Sequence, residues 1–242
     1  MKRLFLIALL FPFLIACNDN HNNDFENVLT DIATVENPDQ ATKFGLLLDD
    51  STQLWVATSN VPYYRPKDGQ RIIVDYTLVT DNRDGKYKHD ILINDVYEVL
   101  TKGIFNITAT TQDSIGNDNI SIKNMWVGGN FLNVEFVYPG YNATHYINLV
   151  ADTSKTYTDG KIHLEFRHNA NNDYPEYNKW GIVSFNLKSL QAHNVDSVQM
   201  VIHAKEFYYG DEKYNITYKF GSESAQVKGQ KISLKPQRAV AK

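Results

Sequence analysis

Apolar and polar residues alternate with a period of two along much of the chain, the signature of half-buried strands. Phe44-Gly45-Leu46-Leu47-Leu48 is an apolar run stopped by Asp49-Asp50-Ser51 and answered by Leu54-Trp55-Val56-Ala57, which predicts a hairpin. Pro62, Pro66 and Asp68-Gly69 mark a loop. Residues 71–80 form the strongest strand of this half, with Ile72, Val74, Tyr76 and Leu78 alternating against Ile73, Asp75, Thr77 and Val79. Asp84-Gly85 turns the chain, residues 89–100 alternate again, and Ile104-Phe105-Asn106-Ile107 is a last short strand. Five short strands in one unit predict a small β-barrel over residues 36–111.

Residues 112–119 are polar and turn-rich and lack an apolar face, which makes them the predicted domain boundary. Beyond them, strands are predicted at 131–138, 144–151, 161–168, 179–187, 197–207 and 214–220. Turn residues separate them: Pro139-Gly140, Asp159-Gly160, Asn169 to Pro175, Asn194 and Gly210-Asp211. Such spacing predicts an antiparallel β-sandwich over 120–222. Residues 223–242 read as a tail with one short strand at 231–234. The fold class is therefore all-β, a five-stranded barrel followed by a sandwich.

The start of the chain follows another pattern. Lys2 and Arg3 precede an apolar stretch, residues 4–15, broken only by Pro12 and closed by Leu14-Ile15-Ala16-Cys17. The stretch is too short to span a bilayer as a permanent helix and fits a lipoprotein signal over residues 1–16. The Cys17 thiol then takes lipid, and two or more acyl chains hold stably at about 0.8 kcal/mol per buried methylene. Residues 17–35 read as a flexible tether, within which residues 25–35 have the makings of a short strand or a helical turn. Asp19, Asp24 and Glu26 are compatible with export to the cell surface, although a plain solvated linker is the better reading. Cys17 is the sole cysteine, so the folded part has no disulfide framework and depends on its cores.

The full chain carries 24 basic and 28 acidic side chains, a formal charge of −4. Removing Lys2 and Arg3 leaves 22 against 28, or −6. That balance argues against nucleic acid as a partner. Fifteen tyrosines and twelve phenylalanines suit pleated, half-buried surfaces and support the all-β reading.

Several strings together resemble the NigD-like lipoproteins of Bacteroides and its relatives. In the first half these are Asp49-Asp50-Ser51, Arg65-Pro66-Lys67-Asp68-Gly69-Gln70-Arg71, Ile93-Asn94-Asp95-Val96 and Leu100-Thr101-Lys102-Gly103. In the second half they are Trp126-Val127-Gly128-Gly129, Phe131-Leu132-Asn133-Val134, His145 to Val150 and Leu164 to Ala170. The resemblance implies that the barrel has OB topology and that a sandwich follows it. It also implies a lipoprotein of the outer membrane, on the periplasmic face or the cell surface, with a role in bacteriocin immunity. Oligonucleotide binding does not follow from the name of the fold, because a scaffold does not carry function.

Two sets of residues are candidates for chemistry or binding. Strand periodicity puts His163, Glu165 and Arg167 on one face and Leu164, Phe166 and His168 on the other. A hairpin closed by Asp159-Gly160 brings His145 close to His168. With Asp173 nearby, these residues read as a metal site, an acid/base pair or a polar plug at the end of the sandwich. The plug is favoured, because no zinc-type ligand spacing is present. Glu165 and Arg167 read as a surface ion pair. The second set is aromatic: Tyr63 and Tyr64 in the loop 61–66, and Tyr208 and Tyr209 at a strand end, which suit contacts with a protein or a glycan. No nucleophile elbow or phosphate loop occurs, and no catalytic residue, metal or cofactor is predicted. The expected function is non-catalytic binding by a lipid-anchored protein. The alternatives are a surface carbohydrate-binding lipoprotein and a hydrolase built on His145 and His168.

Overall fold

The computed structural model describes residues 28–40, 43–80 and 85–220. The signal segment, Cys17 and the predicted strand at 231–234 lie outside these residues.

The first unit is a closed barrel of β1 (Leu29–Gln40), β2 (Lys43–Leu48), β3 (Gln53–Ser59), β4 (Arg71–Leu78) and β5 (His89–Glu98). Its order is β1-β2-β3-β5-β4, with β4 pairing back onto β1 and β3 parallel to β5, which is the OB arrangement. Ala33, Val35, Phe44, Leu46, Leu54, Val56, Ile72, Val74, Ile91 and Ile93 fill the barrel. Residues 29–35 are thus strand, where the sequence predicts tether. Alternation fails in β1 because both its faces are covered: Ala33 and Val35 point into the barrel, while Ile32 packs outside with Ile73 and Val99.

The second unit contains β6 (Leu100–Ile107), β7 (Ser121–Gly128), β8 (Phe131–Gly140), β9 (Tyr146–Asp152), β10 (Ile162–Asn169), β11 (Tyr177–Asn186), β12 (Ser197–Glu206) and β13 (Gly210–Lys219). One eight-stranded sheet, ordered β13-β12-β10-β9-β6-β11-β8-β7, is bent at β6. Residues 100–103 of β6 pair with β11 and residues 104–107 pair with β9. The two halves pack face to face, with Phe166 of one half meeting Phe136 and Phe185 of the other at ring separations of 5.8 and 6.0 Å.

Three features depart from the prediction. β6 belongs to the sandwich, so the modules meet between Glu98 and Leu100 rather than at 112–119. β7 escapes the alternation pattern because a bulge lies between Ile122 and Asn124. The sheet is mixed, since β6–β9, β6–β11 and β10–β12 are parallel.

The modules are locked together by a buried polar knot. Arg71, 1% exposed, pairs with Asp49 at 2.8 Å and donates to Asn133 Oδ1 and Thr34 Oγ1, each at 3.0 Å. Asp49 accepts from Trp126 Nε1 and Asn133 Nδ2, both at 2.9 Å. The carboxylate sits so close to Gly128 that an added Cβ would lie 2.0 Å from Asp49 Cγ. Burial pushes the Arg71 guanidinium down and Asp49 pulls it back up.

Candidate functional site

β10 and β12 run parallel with Phe166 opposite Ala204, so their ends at Asn169 and Glu206 lie together. β9 is antiparallel to β10, which places Tyr146 opposite Asn169, and Tyr177 of β11 sits opposite Gly140 of β8. One end of the sandwich therefore gathers the loop 141–145, the loop 170–176 and the turn 207–209.

His145 and His168 meet inside this end, as their strand positions predict. His168 Nδ1 lies 3.1 Å from the Asn119 carbonyl, and His168 Nε2 lies 2.8 Å from His145 Nδ1. His145 Nε2 lies 3.1 Å from Asp173 Oδ2. The rings are 4% and 1% exposed, and Tyr138 packs against both. Acceptors cap both ends of the row and the two rings meet nitrogen to nitrogen in the middle, so every ring nitrogen faces a protein partner. Burial pushes the His168 ring down, toward its neutral form. Burial also pushes the Asp173 carboxyl up, but the N–H groups of Tyr141, Ala143 and Asn142 and the His145 ring outweigh it and hold it well below the usual carboxylate range. Gly140 is needed here, because an added Cβ would stand 2.9 Å from His145 Nε2. Asn171 and Asn172, at φ 53° and 56°, supply the left-handed turn that brings Asp173 inward.

Glu165 and Arg167 pair as predicted, but not at the surface. Both are 7% exposed. Arg167 Nε donates to Glu165 at 2.6 Å and Nη1 to the Gly116 carbonyl at 3.3 Å, because the segment 108–119 folds back over β10. Lys155 completes the pair from the loop 153–161. This cluster lies on the sheet face opposite His168.

The four predicted tyrosines part company. Tyr64 is packed in the barrel against Phe44 and donates to Gln70, so its ring is not a free contact surface. Tyr63 is 89% exposed but stands on the barrel. Tyr208 and Tyr209, 86% and 75% exposed, project from the β12–β13 turn. Tyr141, Tyr146, Tyr174 and Tyr177 are exposed at the same end of the sandwich, with the rings of Tyr141 and Tyr177 6.2 Å apart. Sequence reasoning missed these four. The signal was available in residues 141–146 and 170–178, about half of which are Tyr and Asn.

Two further features are separate from this end. The outer barrel surface over β2 and β3 is covered by the chain's own rings, with Tyr87 against Trp55 at 5.0 Å and over Gly45. A depression of about 410 Å³ at the bend of β6 is lined by Thr101, Lys102, Gly103, Ile104, Asn186 and Ser189, none of them a predicted site residue. Among the described residues, no group of three His, Cys, Asp or Glu side chains is placed to hold a metal ion.

An OB barrel locked onto a β-sandwich defines a two-module scaffold whose candidate site is a set of loops. Residues 32–99 match the NigD-like N-terminal OB domain and residues 103–218 the NigD-like C-terminal beta sandwich domain. The chain belongs to the NigD-like family. Among solved structures it is similar to a protein of unknown function from Bacteroides vulgatus, at 29% identity and TM-score 0.71, covering 82% of this chain and 94% of that one. A toxin-related protein from Parabacteroides distasonis is 33% identical with TM-score 0.68, covering 79% and 93%. A NigD-like immunity protein from Bacteroides caccae shares the fold at 16% identity and TM-score 0.63, covering 79% and 96%. No curated protein matches the chain.

Proposed function

We propose that this is a lipid-anchored, non-catalytic binding protein of the cell envelope, tethered to the outer membrane through Cys17 and acting in bacteriocin immunity. One observation carries the reading. Every ring nitrogen of His145 and His168 is taken up by a protein partner inside the fold, while tyrosines stand exposed on the loops that these rings brace. A hydrolase would need one of those nitrogens free to take a proton from substrate or water. Exposed tyrosines offer apolar area with a polar tip, which serves binding. Membership of the NigD-like family and the description of one relative as an immunity protein support the immunity role.

The test has two readouts. Mass spectrometry of the native protein is expected to find an acylated Cys17, and a bare thiol would remove the anchor. Deleting the gene is expected to sensitise cells to a bacteriocin encoded beside it. Full-length protein should restore resistance and Cys17→Ala should not, with growth on glycans unchanged. Unaltered sensitivity would end the immunity role.

A further inference from the structure

We infer that the rim of the barrel where β1 begins docks on the surface of a lipid bilayer, with Val28, Leu29, Leu78 and Val79 in contact with lipid. The inference rests on the Cys17 anchor proposed above and names the face that the anchor brings to the membrane. Among the described residues, five large aliphatic side chains are exposed: Val28, Leu29, Leu78, Val79 and Val195. The first four meet at this rim. Antiparallel pairing of β1 with β4 puts Leu29 opposite Tyr76, two residues before Leu78, and the Val79 N–H carries the ladder on to the Asp90 carbonyl at 2.8 Å.

Leu29 and Leu78 share the strand face of Tyr76, which packs inside the barrel, so they stand at its mouth with Val28 and Val79 beside them. None of these four side chains belongs to a core cluster, and Leu29 and Val79 are 43% and 55% exposed. Single exposed aliphatic side chains are ordinary on a protein, whereas a group of them marks a contact surface. They also differ in kind from the other exposed apolar residues, which apart from Val195 are Tyr and Phe. A tyrosine keeps its hydroxyl in water, while valine and leucine gain only by leaving it.

The place of the lipid on the chain selects the occupant. Val28 follows Cys17 by eleven residues, a length that spans at most about 40 Å. An acylated Cys17 therefore keeps this rim, where that length of chain enters the fold, within reach of the bilayer. A contact too weak to hold alone then becomes intramolecular. The charged side chains beside the patch, Asp31, Asp75, Asp90 and Lys88, are mostly acidic, so the contact is apolar and gains nothing from anionic headgroups.

The test uses Val79→Cys in the full chain purified from its own membranes, where acylation of Cys17 leaves the new thiol the only free one. An environment-sensitive dye on that thiol reports contact with phosphatidylcholine vesicles that carry nitroxide-labelled lipid. Quenching is expected to be severalfold stronger at position 79 than for the same dye on Val195→Cys, the exposed aliphatic position on the other module, and to be indifferent to salt. Adding Val28→Asp/Leu29→Asp should remove most of the quenching at position 79, with circular dichroism unchanged because neither side chain lies in a core. In the Cys17→Ala chain without vesicles the dye should report water. A vesicle-bound chain quenched no more at position 79 than at position 195, or quenched only with anionic lipid, would overturn this docking face and leave the anchor standing. A bare Cys17, with the chain free of vesicles, would remove both. A dye already shielded in the Cys17→Ala chain would assign the patch to residues 18–27 or to a second copy and overturn the inference.

Discussion

Two Asp–His–His rows share the strand β10, one on each face. On the inner face, Asp173, His145 and His168 run to the Asn119 carbonyl. On the outer face, Asp159 accepts from His163 at 3.0 Å, His163 Nδ1 lies 2.8 Å from His203 Nε2, and Tyr157 stacks on His163. The residue types are the same, but the ends differ. The inner row is capped by acceptors at both ends and is buried. The outer row has an acceptor at one end only, Asp159, so one N–H from each ring completes its two bonds. The same side chains thus make a closed, buried brace in one place and an open-ended, part-buried contact in the other, according to what closes the far end.

The knot between the modules sets the scale for testing this contrast. Arg71→Ala leaves the Asp49 carboxylate buried without its cation and is expected to cost about 3–5 kcal/mol in chemical denaturation. Neither histidine row should change, as judged by imidazole NMR signals. Next in size is His168→Ala, which strands the Asn119 carbonyl and the His145 N–H in the interior and should cost about 1–3 kcal/mol. His203→Ala should cost no more than about 1 kcal/mol, because its row is only part-buried and ends on the exposed Asp159. Equal losses for the two histidine variants would erase the distinction.

The smallest effect is a pH slope. Burial, chief among the causes, lowers the pKa of both His168 and His203, so the unfolded chain takes up protons first as pH falls. Stability is fully present above the unfolded value of about 6.5 and is lost as pH drops through the folded values. Denaturation midpoints should fall between pH 7 and pH 5, and His168→Ala should flatten that fall more than His203→Ala. Asp173 adds a loss at lower pH, below about 4, because its folded pKa is also depressed.

Most strands were legible because alternation survives wherever one face stays open to solvent, as in β8 and β13. It fails in β1, which is covered on both faces, and in β7, which carries a bulge. β6 was visible as a strand, but its owner was not, because the pairings that claim it lie dozens of residues away in β9 and β11. The strings that carried the family resemblance have a spatial reason behind them. Asp49, Arg71, Trp126, Gly128 and Asn133, scattered over them, converge in the knot between the modules. In the candidate site, the meeting of His145 with His168 followed from strand register alone. The grouping of six tyrosines did not, because loop neighbours depend on how the whole sheet folds over.

A single residue, Val99, joins β5 to β6, and it is buried in the contact between the modules with its N–H bonded to the Arg71 carbonyl at 2.9 Å. The chain therefore has no slack at the joint in which to swivel. A pull on the leading strand reaches the far loops as through a stiff lever, and a grip on those loops is felt at the leading strand without lost motion.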